Sequence, residues 1–144
     1  MALEKSLNPG SPDSQYTTVV AAEGATIPAN SVVQLDFTAN ADGVRVVQPN
    51  TNELWGVLGV TVKAIADGDT GLVQTKGFKV VAVNQAVGAQ APGLPLVATA
   101  GQYYLTADVL APANQNNLIG VLMETIGAGT PGTTTLAKVW LFGR

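Results

Sequence analysis

The residues of this 144-residue chain best suited to chemistry are its acidic ones, because it contains neither histidine nor cysteine. Without imidazoles and thiols it lacks the commonest general base, the usual ligands of zinc and copper, and any thiolate nucleophile. A Ser-His-Asp triad is impossible, and no Walker A or Gly-x-Ser-x-Gly sequence occurs. Any catalysis would rest on the ten carboxylates.

The most suggestive acidic motif is Asp67-Gly68-Asp69, which lies between two apolar runs and precedes Thr70. Its oxygens could contribute to a calcium site, but Ca²⁺ takes about six to eight oxygen ligands and no EF-hand spacing is present. Aspartate and glycine are also favoured in tight turns, and Asp42 lies in a similar setting. A glycosidase would need two carboxyl groups about 5–9.5 Å apart across a cleft, and carboxylates used in turns are not expected to form such a pair. We therefore predict turns here, and a protein without metal, cofactor or enzymatic activity.

Charge excludes further classes of function. Charged residues make up 12% of the chain, about half the usual share of roughly 25%, and the net charge is −3. The seven basic residues are scattered, so nucleic-acid binding is not expected. The N-terminus lacks the apolar region of a secretory signal, and no apolar run approaches the ~20 residues that span a bilayer. We expect a soluble protein made in the cytoplasm, with no membrane partner.

The elements that would position any site read as short β-strands. Residues 31–38 alternate apolar and polar side chains, the period-2 pattern of a half-buried strand, and an Asp-Gly turn leads to a partner at 44–48. Residues 55–62 are apolar on both faces, which indicates a strand covered on both sides. One face would fill the domain's core, and the other is where we expect a neighbouring subunit.

Turn signals every 8–12 residues predict an all-β fold. We expect a small antiparallel β-sandwich or β-barrel of about ten short strands with an extended N-terminal arm. Residues 1–16 would form that arm, because prolines break any periodicity there, and residues 17–144 would form a single β domain. Residues 55–83 and residues 119–142 share a hairpin pattern, which reflects either duplication or only shared hairpin chemistry.

The aromatic residues raise a second possible function, a carbohydrate-binding surface. Tyr103 and Tyr104 are adjacent and would point to opposite faces of a strand, so they cannot form one platform. Trp55, Phe78 and Trp140 lie in apolar strands, which favours a place in the core or at a subunit interface.

Three parts of the chain carry a resemblance to a known family. They are residues 29–35, residues 55–60 with 66–70, and residues 119–123 with 138–142. With these short motifs, residues 24–144 resemble the decoration (cement) proteins of tailed-bacteriophage capsids. The resemblance implies a structural virion protein that binds the outer surface of an expanded icosahedral shell and stabilises it. It implies the major capsid protein as partner, and a homo-oligomer, with a trimer favoured.

The predicted contacts with partners involve the arm and one face of the central strand. The residues expected to make them are Leu3, Leu7, Pro9, Pro12, Tyr16, Trp55 and Val57. The first alternative is a carbohydrate-binding β-sandwich module of a phage fibre or surface protein. The second is a small β-fold enzyme that uses carboxylates.

Overall fold

The structure, a computed structural model, describes residues 14–38, 42–50, 56–107 and 118–143. Within these ranges the chain forms strands but no α-helix, so no helix there is long and apolar enough to cross a membrane. The strands are β1 (Gln15–Ala21), β2 (Val32–Leu35), β3 (Arg45–Val47), β4 (Val57–Thr61), β5 (Thr70–Asn84), β6 (Pro95–Ala98), β7 (Leu105–Ala107), β8 (Leu118–Leu122) and β9 (Thr134–Phe142).

The strands close into two five-stranded barrels that share β5. Barrel 1 has the order β1-β3-β2-β4-β5 and closes through pairing of β1 with β5. Barrel 2 has the order β5-β7-β6-β8-β9 and closes through pairing of β5 with β9. Closure pairs the first and last strands of each sheet with each other, which is how small β-barrels limit edge-to-edge aggregation. The predicted all-β fold is confirmed, in its barrel form.

β5 serves both barrels because it bends in the middle. Its first half pairs with β1 and its second half with β9, and the two pairings meet at Lys76. Gly77 follows with φ of 97°, a conformation that glycine adopts without a steric penalty. The buried Gln74 amide donates to the carbonyl oxygens of Lys76 at 3.0 Å and Phe78 at 2.9 Å, so it stabilises the bend.

The two barrels are copies of one pairing scheme. In each barrel the first and third strands pair in parallel, and the second pairs antiparallel with the third and fourth. The fourth strand of each barrel carries a bulge at the same place: Leu58 of β4 is the extra residue opposite the step from Val33 to Gln34, and Ile119 of β8 is the extra residue opposite the step from Leu96 to Val97. Of the two readings of the repeated hairpin pattern, the structure therefore favours an internal repeat over shared turn chemistry.

The loops that precede β2 and β6 also match. Asn30 and Gly93 both have positive φ, of 58° and 94°. Their amides donate to the carbonyl oxygens of Thr61 and Leu122, the last residues of β4 and β8, at 3.0 and 2.7 Å. The repeat thus extends to backbone hydrogen bonds outside the strands.

Two apolar clusters fill the barrels. The interior of barrel 1 holds Val19, Ala21, Ile27, Val33, Val46, Ile65 and Val73. The second cluster fills barrel 2 and includes three barrel 1 residues, Val32, Val57 and Val60. These three point away from the interior of barrel 1 and pack against barrel 2. The central strand is covered on both faces, as predicted, but within the described chain the second cover is the other half of the same chain.

The sequence-based element boundaries hold for three hairpins and fail at one strand. β2–β3, β4–β5 and β8–β9 pair antiparallel as expected. The run at Phe78, which reads as a third strand after the β4–β5 hairpin, is the second half of one 15-residue strand. β1 begins at Gln15, two residues inside the segment expected to form the arm.

Candidate interaction surfaces

The residues expected to contact a partner fall into three groups. Tyr16 lies on β1 and is 55% exposed, so it is available for contact. Val57 is 4% exposed and packs with the barrel 2 core, so its predicted role at a partner surface is replaced by a role in joining the barrels. The remaining five lie outside the described residues: Leu3, Leu7, Pro9, Pro12 and Trp55.

The acidic motif forms the turn between β4 and β5. Gly68 has φ of 79°, and the Asp67 carboxylate accepts a hydrogen bond from the amide of Gly24 at 2.8 Å. The backbone amide of Asp69 donates to the carbonyl of Ala66 within the turn, and its carbonyl accepts a hydrogen bond from the amide of Ala21 at the end of β1. No group of three or more potential metal-ligating side chains occurs in the described part of the chain. What the turn does here is tie the β4–β5 hairpin to the end of β1.

One row of outward-facing side chains in barrel 1 is almost completely covered. Val32 pairs with Val60, Val60 pairs with Gln74, and Gln74 pairs with Tyr16 across four neighbouring strands. The first three are buried and Tyr16 is exposed. Because the two valines belong to the core cluster of barrel 2, the cover over this row comes from the second barrel.

Polar contacts fix the position of that cover. The amide of Val32 donates to the carbonyl of Tyr103 at 2.9 Å, and the amide of Ala82 donates to the carbonyl of Asn30 at 3.1 Å. The Lys79 ammonium donates to the side-chain oxygen of Asn30 at 2.6 Å, and desolvation lowers the pKa of this lysine. Partial burial, reinforced by the charge of Glu23, raises the pKa of Tyr103. The contact between the barrels is therefore desolvated and directional, as in a stable interface.

The equivalent row in barrel 2 is only partly covered by the described part of the chain. Pro95 pairs with Val121, Val121 with Trp140, and Trp140 with Phe78, in the same register as the barrel 1 row. All four side chains are at least partly exposed. The row is also more apolar than its counterpart, because tryptophan and phenylalanine occupy the positions of Gln74 and Tyr16.

This row lies within a larger apolar surface, which we call the outer face of barrel 2. It consists of the outward-facing side chains of β8, β9 and the second half of β5. Leu136 is 57% exposed and Phe142 is 42% exposed, and Val80 and Met123 are also exposed. Lys138 also lies within the face, where its aliphatic stem adds further apolar surface. Large contiguous patches of exposed apolar surface are typical of sites that bind other proteins or ligands.

A smaller concave site lies in barrel 1, beside the turn between β4 and β5. It is a cleft of about 250 Å³ lined mainly by the backbone and apolar side chains of residues 62–65 and 70–72. Lys63 is the charged residue at its rim. With few polar groups converging on it, the cleft lacks the features that orient a small ligand.

The sequence analysis placed Trp140 and Phe78 either in the core or at a subunit interface. The structure puts both on the surface of barrel 2, which removes the core alternative. The alternation along β9 carries the missed signal: Ala137, Val139 and Leu141 face the interior, so Trp140 must face outward.

Comparisons with known proteins identify the fold. No protein-family model matches the sequence, and no curated protein matches it either. Among solved structures, the chain is similar to the N base of the head fiber gp8.5 of bacteriophage phi29, with a TM-score of 0.54 and 16% sequence identity. The match covers 89% of this chain and 93% of that chain, so both barrels take part in it. The likeness shows that the two proteins share an all-β fold over nearly their whole lengths.

Proposed function

We propose that this chain is a structural protein of a bacteriophage virion that attaches to the outer surface of the capsid. The observation that carries the proposal is the fold shared, across both barrels, with the base of a phage head fibre. The resemblance of residues 24–144 to capsid decoration proteins supports the same location by a separate route. The proposed partner is the major capsid protein, and the proposed role is non-catalytic.

Two versions of this role remain distinct. A decoration protein stabilises the shell itself, whereas a fibre base anchors a longer appendage. A partner-bound N-terminal arm would suit either role, because any 13-residue stretch spans at most about 43 Å when extended, enough to contact a neighbouring subunit. We favour the decoration role, with self-association into a homo-oligomer, a trimer in the simplest case, adding avidity on a repetitive lattice.

The test is co-sedimentation of the purified chain with expanded, DNA-free heads of the phage that encodes it. We expect the chain to pellet with the heads and to saturate at a fixed number of copies. Deleting residues 1–13 is expected to weaken binding at least tenfold, and replacing Leu3 and Leu7 together by serine should reproduce most of that loss. Ser6→Ala is the matched control and should bind like the parent chain. A folded chain that stays in the supernatant with saturating heads would refute the proposal.

Decoration and fibre anchoring are then separated by shell stability. Heads saturated with the chain are expected to resist heating or osmotic shock better than bare heads if the chain is a decoration protein. Binding without any change in shell stability would favour the fibre base.

A carbohydrate-binding module remains the second candidate, and one observation favours it. Trp140 and Phe78 are cross-strand neighbours on an exposed face, an arrangement that offers aromatic rings to the apolar face of a sugar. A glycan screen read by Trp140 fluorescence in a Trp55→Phe background tests it. Saturable quenching by a defined glycan would support this candidate, and no response across the screen would remove it.

A further inference from the structure

When the two barrels are matched as copies of one repeat, the outer face of barrel 2 corresponds to the surface through which barrel 1 contacts barrel 2. Val121 of β8 pairs with Trp140 of β9 in the same way that Val60 of β4 pairs with Gln74 of β5. Val121 therefore occupies the position of Val60, and Trp140 that of Gln74. Leu118 likewise occupies the position of Val57, because each directly precedes the bulged residue of its strand. In barrel 1 these positions are buried, and in barrel 2 each is partly exposed.

We propose that a second copy of this chain covers the outer face of barrel 2. Within the chain, this position of the repeat is already covered by another copy of the repeat, so the interface between the barrels would continue from one molecule to the next. The composition of the face suits that cover, because aromatic residues and methionine are enriched at protein interfaces. Its apolar residues also lie in contiguous rows across three strands, as a close-packed contact requires.

The contact within the chain is between two different surfaces, and this constrains the geometry of the assembly. The barrel 1 row packs against the core of barrel 2, and beside it the backbones of Asn30 and Val32 bond to those of Ala82 and Tyr103. The exposed side chains of the outer face, such as Leu136, are not among the core residues in this contact. A second copy that continues this contact would bind head to tail. Head-to-tail contacts either close into a ring or extend into a filament, and a closed ring of three agrees with the proposed trimer.

The N-terminal segment is the competing occupant. β1 starts opposite Lys76, and Lys76 also pairs with Phe142, so residues 1–13 enter the described chain at one end of the outer face. The segment contains only two large apolar residues besides Met1, namely Leu3 and Leu7. A face this wide needs more apolar surface than that to be covered, which is why we favour a second copy.

The test is sedimentation velocity over a wide concentration range, without capsids. We expect the parent chain to associate reversibly. Trp140→Ser and Leu136→Ser should each raise the dissociation constant at least tenfold. Val87→Ser, the same kind of apolar-to-serine change at a residue 78% exposed in the β5–β6 connection, should not change it. Circular dichroism and thermal unfolding identify any variant that has lost the fold. The chain lacking residues 1–13 should still associate.

Three results would overturn the inference. The first is a chain that stays monomeric at every concentration, and the second is association that neither face variant weakens. The third is association that depends on residues 1–13 but not on Trp140. The inference deepens the oligomeric part of the proposed function, yet it needs no capsid for its test. Loss of capsid binding with intact self-association, or the reverse, therefore tells the two apart.

Discussion

The two barrels share one strand pairing but differ in the fate of one row of outward-facing residues. In barrel 1 the row through Val60 and Gln74 is buried beneath barrel 2, and in barrel 2 the matching row through Val121 and Trp140 is partly exposed. The partly exposed row is the more apolar of the two. A strand with apolar residues on both faces is expected to pack against something on each face. Only the topology shows whether the same chain supplies both packing partners.

The largest expected effect comes from placing a charge at the two equivalent valines. Val60→Asp buries an unpaired carboxylate between the barrels, so we expect a loss of about 3–5 kcal/mol in the free energy of unfolding. Val121 is partly exposed, so Val121→Asp should cost less, about 1–2 kcal/mol in dilute solution. Urea unfolding of both variants measures the difference. Equal losses would mean that the outer face of barrel 2 is covered within the chain.

Two neighbouring residues of β9 give the next comparison, because they point to opposite sides of the strand. Leu141→Ala removes a fully buried side chain and should cost about 2–5 kcal/mol. Trp140→Ala removes a larger but partly exposed side chain, and we expect a smaller loss than for Leu141→Ala in the monomer. Thermal unfolding at low protein concentration measures both changes. A larger loss at Trp140 than at Leu141 would place the indole in the core and contradict the assignment.

A pair of glycines tests whether the barrels are true structural copies. A Cβ at Gly59 would collide with the carbonyl oxygen of Gln74, and a Cβ at Gly120 would collide with the carbonyl oxygen of Trp140. Each would also lie 2.9 Å from the Cγ1 of a core valine, Val73 or Val139. We expect each alanine variant to lose about 1–3 kcal/mol, by similar amounts. Gly88→Ala, which meets no neighbouring atom, is the control.

If only one of the two glycine variants is destabilised, the close approach of the strands is not a shared feature. The repeat would then be limited to topology.

The smallest effect is a pH dependence confined to barrel 1. The amide of Val44, then that of Arg45, donates to the Asp42 carboxylate, and these bonds hold the pKa of Asp42 below its ordinary value. The Arg45 guanidinium, 3.7 Å away, adds a weaker attraction. Stability from this group is therefore complete above the unfolded-state pKa of about 3.9 and is lost as pH falls through the lower folded-state value.

Acid unfolding of the parent chain and of Asp42→Asn measures this contribution. We expect the variant to be slightly less stable at neutral pH and the two curves to converge once the pH falls below the lowered folded-state pKa of Asp42. A constant gap between the curves down to the lowest pH would show that ionisation of Asp42 is not the cause.

Much of the fold could be predicted from sequence, since apolar strand patterns predicted three hairpins correctly, two with Asp-Gly turns and one with the glycine- and proline-rich turn at residues 127–132. The continuity of β5 could not, because glycine inside a strand usually signals an end or a bulge. Here Gly77 bends the strand, and the Gln74 amide compensates the carbonyl groups on either side of the bend. That compensation involves a side chain three residues away on the same strand, which no local propensity describes.

The surfaces were harder to predict than the fold. Val57 and Val121 look alike in sequence, because each is a strand valine that directly follows a glycine, yet one lies between the barrels and the other is partly exposed. Only the sharing of β5 separates them, because it brings barrel 2 against one outer face of barrel 1. Tyr16 is exposed, and its predicted contact with a partner stays a prediction.

The most direct test of the proposed virion role is a reconstruction by electron cryo-microscopy of virions produced with and without this chain. The account predicts extra density on the outer surface of the head in the first case, large enough for the paired barrels and absent in the second. It also predicts neighbouring copies in contact through the outer face of barrel 2. Identical heads in the two preparations would contradict the proposed function.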